Sequence, residues 1–195
     1  MAPSSAGAHL NIPVRLPDGT VVTRQYSLTQ RPDVSDFYEI AVLLEDGGRG
    51  ASQAIHHGWK IGTALRLDRP INQFPLHDDG RPAVLIAGGI GITPILSMAH
   101  VLKARGTPFD LHVSAKRPTE MAYRSLLARE YSPQSHFYFS REAGQRRLDI
   151  QQVLRDAPAD AVFYVCGPQR LIDAVGETAR AMGIAAERVQ FESFS

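Results

Sequence analysis

The chain has 195 residues, of which 44% are hydrophobic, enough for one α/β domain or two small ones with packed cores. Its 21 basic and 20 acidic residues leave a net charge of +1, so the strongly basic surface typical of nucleic-acid binding is not expected. The uncharged segment 83–99 approaches membrane-spanning length, but three glycines and a proline divide it into strand, turn and helix, so no membrane span is predicted.

Residues 1–7 lack the basic start and the apolar centre of a signal peptide, which favours a cytoplasmic location. Cys166 is the only cysteine, so this chain alone can form neither a disulfide nor an iron–sulfur cluster with four cysteine ligands. The adjacent His56 and His57 do not have the spacing of metal ligands. No metal site is predicted.

The N-terminal part favours antiparallel β structure. Strands are predicted at 9–16, 20–28, 37–44 and 63–68, with a short helix at 52–57. A proline-punctuated segment at 70–75 and a polar linker at 77–81 follow. We therefore predict one domain over 1–77 and a second over 81–195.

The second part alternates strands with helices. Strands are predicted at 83–87, 109–115, 136–140, 161–166 and 189–194, and helices at 94–104, 119–130, 149–155 and 168–182. This order predicts a five-stranded parallel sheet with right-handed crossovers. The expected fold class is β + α/β, a partial antiparallel β-barrel followed by a nucleotide-binding domain. In such sheets ligands bind where the strand order reverses, here between the glycine turn at 88–93 and the turn at 166–168.

The glycine turn itself indicates a phosphate and nucleotide cradle. Gly88, Gly89 and Gly91 follow a buried strand, and without Cβ atoms they let backbone N–H groups approach a ligand. Thr93 is predicted to be the N-cap of the following helix and Pro94 its first residue. Because Pro94 stands where the dinucleotide fingerprint has its third glycine, an ordinary dehydrogenase is not indicated.

The segment Arg24-Gln25-Tyr26-Ser27-Leu28 at the end of the second strand carries unusual chemistry for a sheet. An arginine can bind a phosphate, a tyrosine can cover an aromatic ring, and a hydroxyl can hydrogen-bond a ring nitrogen. Strand alternation puts Arg24 and Tyr26 on one face and Ser27 on the other, so a ligand that contacts all three must lie along the strand end. An amphipathic strand with an exposed arginine is the alternative interpretation of this segment alone.

In their order and spacing, Arg-Gln-Tyr-Ser-Leu at 24–28, Gly-Gly-Ile-Gly-Ile-Thr-Pro at 88–94, Tyr-Val-Cys-Gly-Pro at 164–168 and Phe-Glu-Ser-Phe at 191–194 resemble the ferredoxin–NADP reductase superfamily. Gly-Arg-Gly-Ala-Ser at 48–52 and the segment 70–76 are most similar to its phthalate dioxygenase reductase and vanillate demethylase reductase group. That group carries FMN on a β-barrel, NADH on an α/β domain and a plant-type ferredoxin domain at the C-terminus.

The resemblance implies a role for each matching residue. Residues expected to hold the flavin are Arg24, Gln25, Tyr26, Ser27, Gly50, Ala51 and Ser52. Residues expected at the nicotinamide nucleotide are Gly89, Gly91, Thr93, Pro94, Ser114, Arg117, Cys166, Gly167 and Pro168, with Phe194 closing the site near the two rings. Ser27, Cys166 and Glu192 are the expected catalytic positions.

Two of these positions also have simpler interpretations. Cys166 could be only a small buried hydrophobic residue, and hydride transfer requires no bond to it in any case. Glu192, close to a chain end, could be only a solvated carboxylate. The resemblance favours NADH, whereas Lys116 and Arg117 leave NADPH open, and FAD is the alternative to FMN.

The function implied is a flavin-dependent NAD(P)H oxidoreductase that passes electrons to a separate acceptor, such as a ferredoxin or a Rieske-type oxygenase. Relative to the family pattern, the chain is expected to lack the C-terminal 2Fe-2S ferredoxin domain and the first barrel strands before Gly7. Missing strands would expose sheet edges. Two other functions stay open: a non-catalytic nucleotide-binding subunit, or an interaction remnant of such a reductase.

Overall fold

A computed structural model describes residues 1–34, 36–45, 47–142, 144 and 147–194. These residues form a two-stranded antiparallel sheet followed by a five-stranded parallel sheet with helices on both faces. The predicted order of a β part followed by an α/β part is therefore confirmed. Among the described residues no helix combines the length and the apolar character needed to cross a membrane.

The antiparallel sheet is a hairpin of β1 (His9–Arg15) and β2 (Val21–Ser27). Its register places Leu10 opposite Tyr26 and Ile12 opposite Arg24. One face of β1 is buried and packs with Ala51 and Ile55 of helix α1 (Ala51–Gly58). The hairpin and α1 thus share a hydrophobic cluster of their own.

The predicted strands at 37–44 and 63–68 are wrong. In the described part of the first segment, Ile40 forms an isolated antiparallel bridge with Leu28, while other backbone groups bond to side chains: His56 contacts the Val42 carbonyl, and Glu45 donates to Ser52. Residues 63–68 are almost all exposed, so their alternating pattern has no buried face. Alternation makes a strand only where a neighbouring strand supplies backbone partners.

The parallel sheet has the order β5-β4-β3-β6-β7. Its strands are β3 (Ala83–Gly88), β4 (Phe109–Ala115), β5 (Ser135–Phe139), β6 (Val162–Gly167) and β7 (Val189–Ser193). Every residue of the central strands β3 and β6 is buried, as expected for a sheet covered on both faces. The order reverses between β3 and β6, which confirms the predicted reversal between the first and fourth strands of this sheet.

Four helices cover the two faces of this sheet: α2 (Ile92–Arg105), α3 (Arg124–Glu130), α4 (Ile150–Asp156) and α5 (Gln169–Ala181). Ile95 of α2 and Leu127 of α3 belong to the cluster on one face, with Leu85 of β3. Val153 of α4 and Ile172 of α5 belong to the cluster on the other face. Alternate residues of the central strands therefore point into two different hydrophobic cores.

The continuous helix predicted at 119–130 is wrong. A short 3-10 helix (Pro118–Glu120) is followed by a break at Tyr123, whose φ of 58° lies in the left-handed region, and only then by α3. The Tyr123 hydroxyl lies 3.2 Å from a Glu39 carboxylate oxygen and 3.3 Å from the Thr29 hydroxyl. The helical pattern that is continuous in the sequence is thus interrupted at a residue that contacts the segment after β2.

The hairpin part also contacts the parallel-sheet part at α2 and at the linker. Ala6 and Phe74 belong to the hydrophobic cluster that contains the buried face of α2. The buried N–H of Gly7 donates to Ser97 Oγ of α2 at 3.1 Å. In the linker, the His77 N–H donates to the Tyr164 hydroxyl at 2.8 Å. These contacts hold β2 in front of the glycine turn.

Candidate functional site

A cavity of about 440 Å³ lies between β2, the start of α1, the glycine turn and the end of β7. Its lining brings together segments from both ends of the chain. Of the predicted site residues, eight line it: Arg24, Gln25, Tyr26, Ser27, Ala51, Ser52, Thr93 and Phe194. Its volume lies within the range of small-molecule and cofactor sites, roughly 300 to 1,000 Å³.

One end of the cavity is suited to a phosphate. Gly50, with φ 83°, precedes α1, and no side chain caps the N–H groups of the first helical turn. Arg24 and Arg49 line the same cavity, and Nη1 of Arg24 donates to the Thr23 carbonyl at 2.9 Å. A helix N-terminus combined with two arginines favours a bound anion.

The other end of the cavity is built from Tyr26 and Ser27. Tyr26 lies on the face of the hairpin that carries Leu10, whereas Ser27 is buried on the opposite face. Both line the cavity because β2 is an edge strand of the two-stranded sheet. A ligand that lies along the strand end and contacts both faces stays a prediction. Burial raises the pKa of the Tyr26 phenol, so its ring stays neutral beside the cavity.

Ser27 Oγ donates to a carboxylate oxygen of Glu192 at 3.3 Å. Burial raises the pKa of Glu192 to about 7, and the hydrogen bond from Ser27 opposes part of that shift. Cys166 of β6 pairs with Glu192 of β7 and is completely buried. Burial and the nearby Glu192 carboxylate raise the pKa of the Cys166 thiol, which therefore stays protonated. The solvated Glu192 of the simpler interpretation is not what the structure shows.

The glycine turn differs in one respect from the prediction. Helix α2 begins at Ile92 after a short 3-10 helix (Gly89–Gly91), and Gly91 is its N-cap. Thr93 is therefore not the N-cap; its hydroxyl donates to the Ile90 carbonyl at 3.0 Å. Pro94 is the third residue of α2 and not the first. Because the 3-10 helix leads directly into α2, helical structure begins earlier than the Thr-Pro pair indicates.

Glycines in this turn serve two purposes. A Cβ on Gly91 would lie 2.2 Å from the Cys166 carbonyl oxygen, so this glycine lets the 3-10 turn pack against the end of β6. Gly89 has φ 58°, and a Cβ there would meet no atom within 4 Å. Gly89 thus presents open backbone at the point where the strand order reverses, whereas Gly91 has a packing role in the protein itself.

The remaining predicted residues lie around this edge of the sheet. Ser114 is near the end of β4, and its hydroxyl donates to the Ala87 carbonyl at 3.2 Å. Arg117 is exposed at the start of the 3-10 helix that follows β4. Gly167 ends β6 and Pro168 precedes α5. None of them lines the 440 Å³ cavity, so their contact with a nucleotide stays a prediction.

Several residues that line the cavity were not predicted: Asn11, Thr23, Ala41, Leu43, Glu45, Arg49, Ile90 and Ser193. Asn11 stands opposite Gln25 in the hairpin register, so pairing the two predicted strands would have found it. Arg49 lies within the Gly-Arg-Gly-Ala-Ser segment already identified. Residues 41–45 form no strand, so strand periodicity could not predict which of their side chains face the cavity.

Among the described residues, no group of three or more His, Cys, Asp and Glu side chains is placed to hold a metal ion. The residues in and beside the cavity supply hydrogen-bond donors, an aromatic ring and a carboxyl group of raised pKa. Such a set can bind and orient an anionic, aromatic cofactor and hold a proton beside it.

Residues 85–177 match the family model described as the oxidoreductase NAD-binding domain. The chain is 39% identical over 191 residues to the heme-dependent oxidative N-demethylase beta subunit of Ectopseudomonas mendocina (strain ymp), a match that covers 98% of this chain and 60% of that relative. It is 36% identical to the vanillate O-demethylase oxidoreductase of Pseudomonas sp. (strain HR199 / DSM 7063), covering 100% of this chain and 61% of the relative.

Among solved structures, phthalate dioxygenase reductase, described as a modular structure for electron transfer from pyridine nucleotides to [2Fe-2S], superposes with a TM-score of 0.88 at 32% identity. That match covers 100% of this chain and 60% of the reductase. The chain spans about three fifths of the length of the curated relatives described above. The chain therefore has a ferredoxin reductase-like fold and is similar over its whole length to phthalate dioxygenase reductase and vanillate O-demethylase oxidoreductase.

Proposed function

We propose that the chain is the flavin- and nucleotide-binding part of a NAD(P)H-dependent oxidoreductase, which passes electrons from NADH through FMN to a separate iron–sulfur protein or oxygenase. The observation that carries this proposal is the cavity that joins Arg24, Tyr26 and Ser27 to the start of α1, the glycine turn and the end of β7. The names of the relatives, which are subunits or reductases of demethylase and dioxygenase systems, support the same function.

In this proposal residues 1–77 hold the flavin and residues 81–195 hold the nicotinamide nucleotide. The donors at the phosphate end fit FMN: Arg24, Arg49 and the backbone N–H groups of Ala51 and Ser52 would hold its phosphate. Tyr26 would cover the ring, and Gln25 would bind at its polar edge. FAD is the alternative, because the same donors also suit a pyrophosphate.

A flavin, when bound, accepts a hydride and releases electrons singly. The residues of the protein would position the two cofactors and shield them from solvent. Gly89 offers open backbone to a nucleotide pyrophosphate, with Thr93 and Gly167 beside it. Phe194 closes the cavity at the end of the chain that the structure describes. Ser27 and Glu192 place one hydroxyl and one carboxyl group at the ring end, where a proton can be held or moved.

Cys166 contributes differently in this proposal. Its thiol is fully buried and protonated, so it shapes the floor of the cleft beneath the nicotinamide position and carries no charge there. Ser114 and Arg117 would contact the adenosine end of the nucleotide. We propose NADH because the resemblance to the reductase group favours it. NADPH is the alternative, because Lys116 and Arg117 could bind its 2′-phosphate.

One experiment tests this function and separates it from the two other possibilities. The purified chain is titrated with FMN, and the flavin absorbance is then followed without oxygen after NADH is added. Rapid bleaching is expected from the reductase. Flavin that binds and stays oxidised would indicate a nucleotide-binding subunit, and absence of both flavin and nucleotide uptake would indicate an interaction remnant. Repeating the reduction with NADPH shows which of the two nucleotides reduces the flavin faster.

A further inference from the structure

His77 lies in the linker between the hairpin part and the parallel-sheet part, and each of its polar atoms has a partner. Its N–H donates to the Tyr164 hydroxyl at 2.8 Å, and its carbonyl accepts from Nη1 of Arg105 at 3.1 Å. In the ring, Nδ1 lies 3.0 Å from the same Tyr164 hydroxyl, and Nε2 lies 2.8 Å from the Arg81 carbonyl. The side chain is only 11% exposed. A polar linker residue is usually solvated, so this burial and complete pairing call for a physical reason.

These contacts determine which nitrogen of the His77 ring carries the proton. The Arg81 carbonyl can only accept, so Nε2 must donate, and the Asp79 carboxylate at 3.8 Å from Nε2 favours the same arrangement. In a neutral ring Nδ1 is then an acceptor, and the Tyr164 hydroxyl donates to it. Burial raises the pKa of Tyr164, so this hydroxyl keeps its proton. One hydroxyl therefore donates to the His77 ring and accepts from the His77 backbone.

Tyr164 contacts both ends of the segment 74–77. Its side chain is buried in β6, where its ring stacks on the His77 ring with centroids 5.8 Å apart and meets the Phe74 ring edge-on at 5.6 Å. Phe74 is itself buried, and its carbonyl packs against Gly7, where a Cβ would lie only 1.9 Å from the carbonyl oxygen. One side chain of the parallel sheet thus holds the start of the linker at two points.

Backbone contacts connect the linker to the cavity. Ile71 forms a pair of hydrogen bonds with His9 of β1, at 2.8 Å and 3.0 Å, and His9 stands opposite Ser27 of β2. Ser27 lines the ring end of the cavity and contacts Glu192 of β7. A continuous path of contacts therefore runs from Tyr164 of β6 through the linker to the hairpin and back to the sheet. A displacement of the linker would move Ser27 relative to the parallel sheet.

We propose that His77 and Tyr164 are positioning residues, whose two hydrogen bonds set the place of the hairpin part relative to the glycine turn. This inference rests on the proposed function, in which a flavin on the hairpin part receives a hydride from a nucleotide on the sheet part. Neither residue lines the cavity, and both are buried, so neither should contact a cofactor. Hydride transfer requires the reacting atoms to approach to about 3 to 3.5 Å, so a small displacement of the hairpin part slows it strongly.

The first test is ¹⁵N NMR of the full chain without cofactors, at about pH 8, where an ordinary histidine is neutral. In the parent chain the His77 ring should show a protonated Nε2 and an unprotonated Nδ1. Tyr164→Phe keeps the ring contacts and removes only the hydroxyl. In this variant the Nδ1 signal of His77 should shift, and the amide signals of Ser27 and Glu192 should move with it.

Tyr131→Phe is the matched control, because the Tyr131 hydroxyl bonds to Nδ1 of His100 within the parallel-sheet part. This variant should leave the amide signals of Ser27 and Glu192 unchanged. A protonated His77 Nδ1 in the parent chain would overturn the inference. So would Ser27 and Glu192 signals that stay in place in Tyr164→Phe, or that move equally in the two variants.

The second test measures the reduction of bound FMN by NADH without oxygen, by stopped-flow absorbance. His77→Leu removes both ring hydrogen bonds and should lower the limiting rate by roughly ten- to a hundredfold. The Kd for FMN and the NADH concentration that gives half the limiting rate should stay unchanged. His77→Asn places an amide oxygen near the position of Nδ1, where it can accept from the Tyr164 hydroxyl, so it should restore most of the rate.

A loss of affinity for FMN or NADH at an unchanged limiting rate would overturn the positioning role. A His77→Asn variant as slow as His77→Leu would also overturn it, because the hydrogen bond to Tyr164 would then not be the one that matters. If the parent chain itself did not reduce FMN, the proposed function would fail, whereas the NMR signals would still decide whether His77 and Tyr164 position the hairpin part.

Discussion

The Ser27 hydroxyl lies 3.3 Å from the Glu192 carboxylate, although 165 residues separate them in the sequence. Ser27 ends the second strand of the hairpin, and Glu192 lies in the last strand of the parallel sheet. The contact therefore exists only because the hairpin packs against the end of the sheet. At this contact the part of the chain proposed to bind flavin meets the part proposed to bind the nucleotide.

The ionisation of Glu192 should make the stability of the protein depend on pH. Its folded-state pKa of about 7 lies above the ordinary value of 4.5. Between these two values the unfolded chain is ionised while the folded protein keeps the proton, so the free energy of unfolding falls as pH rises, by about 3 kcal/mol in all. Urea unfolding of the parent chain and of Glu192→Gln at pH 5 and pH 8 measures this difference.

The glutamine variant provides the reference, since its side chain is neutral at both pH values and all other titrating groups are shared. We expect Glu192→Gln to gain stability relative to the parent on going from pH 5 to pH 8. An equal pH dependence in the two proteins would show that Glu192 titrates normally in the folded state.

Removing the Arg24 guanidinium should weaken binding of FMN through its phosphate. A charge-assisted hydrogen bond contributes about 1.5 to 3 kcal/mol, so Arg24→Ala should raise the Kd for FMN by roughly ten- to a hundredfold. Quenching of flavin fluorescence measures the Kd. Riboflavin, which has no phosphate, should bind the variant and the parent equally well.

Arg15→Ala is the matched control for this prediction. Arg15 lies on the same hairpin, but its guanidinium donates to the Gly19 carbonyl at the turn, away from the cavity. It should leave the Kd for FMN unchanged. If Arg24→Ala retained FMN as tightly as Arg15→Ala does, the phosphate would have to be held elsewhere.

Gly91 should not tolerate a methyl group. A Cβ at this position would lie 2.2 Å from the Cys166 carbonyl oxygen, which is backbone and cannot move aside cheaply. Gly91→Ala should lower the free energy of unfolding by roughly 1 to 3 kcal/mol, as overpacking typically does. Because φ at Gly91 is −59°, the loss comes from the clash and not from backbone strain. Thermal unfolding followed by circular dichroism measures it.

The same substitution at Gly176 in α5 should have the opposite effect on stability. A Cβ there would lie 3.6 Å from the Phe191 ring, an ordinary contact. Gly176→Ala should therefore raise the stability by about 0.5 to 1 kcal/mol through helix propensity. If both alanine variants were equally destabilised, the close packing of the 3-10 turn against the end of β6 would not explain the glycine at 91.

The hydrogen bond between Gly7 and Ser97 should contribute to holding the hairpin part against α2. Ser97→Ala leaves the buried Gly7 N–H without its acceptor, which costs about 1 to 3 kcal/mol. Thr178→Ala is a suitable comparison, because the Thr178 hydroxyl only donates to the Ala174 carbonyl within its own helix. Chemical unfolding curves of the two variants distinguish them; similar small losses in both would contradict the role given to Ser97.

The sequence alone determined the features that depend on local periodicity. The alternation of strands and helices after residue 81, the hairpin around Asp18 and the glycine turn at 88–93 follow from side-chain spacing and turn residues. The structure has them with ends shifted by one or two residues, except for α3, which begins five residues later than predicted. The residues predicted at the end of β2 also line one cavity: strand alternation puts Ser27 on the opposite face from Arg24 and Tyr26, and all three reach the cavity because β2 is an edge strand.

Only the tertiary structure decided what depends on a distant neighbour. Residues 37–44 alternate like a strand, but the contacts of Val42 and Glu45 are to side chains of α1, so no regular strand forms there. The helical pattern breaks at Tyr123, whose φ is 58° and whose hydroxyl contacts the distant Glu39. The Glu192 pKa likewise arises from burial beside Ser27, which no local pattern encodes.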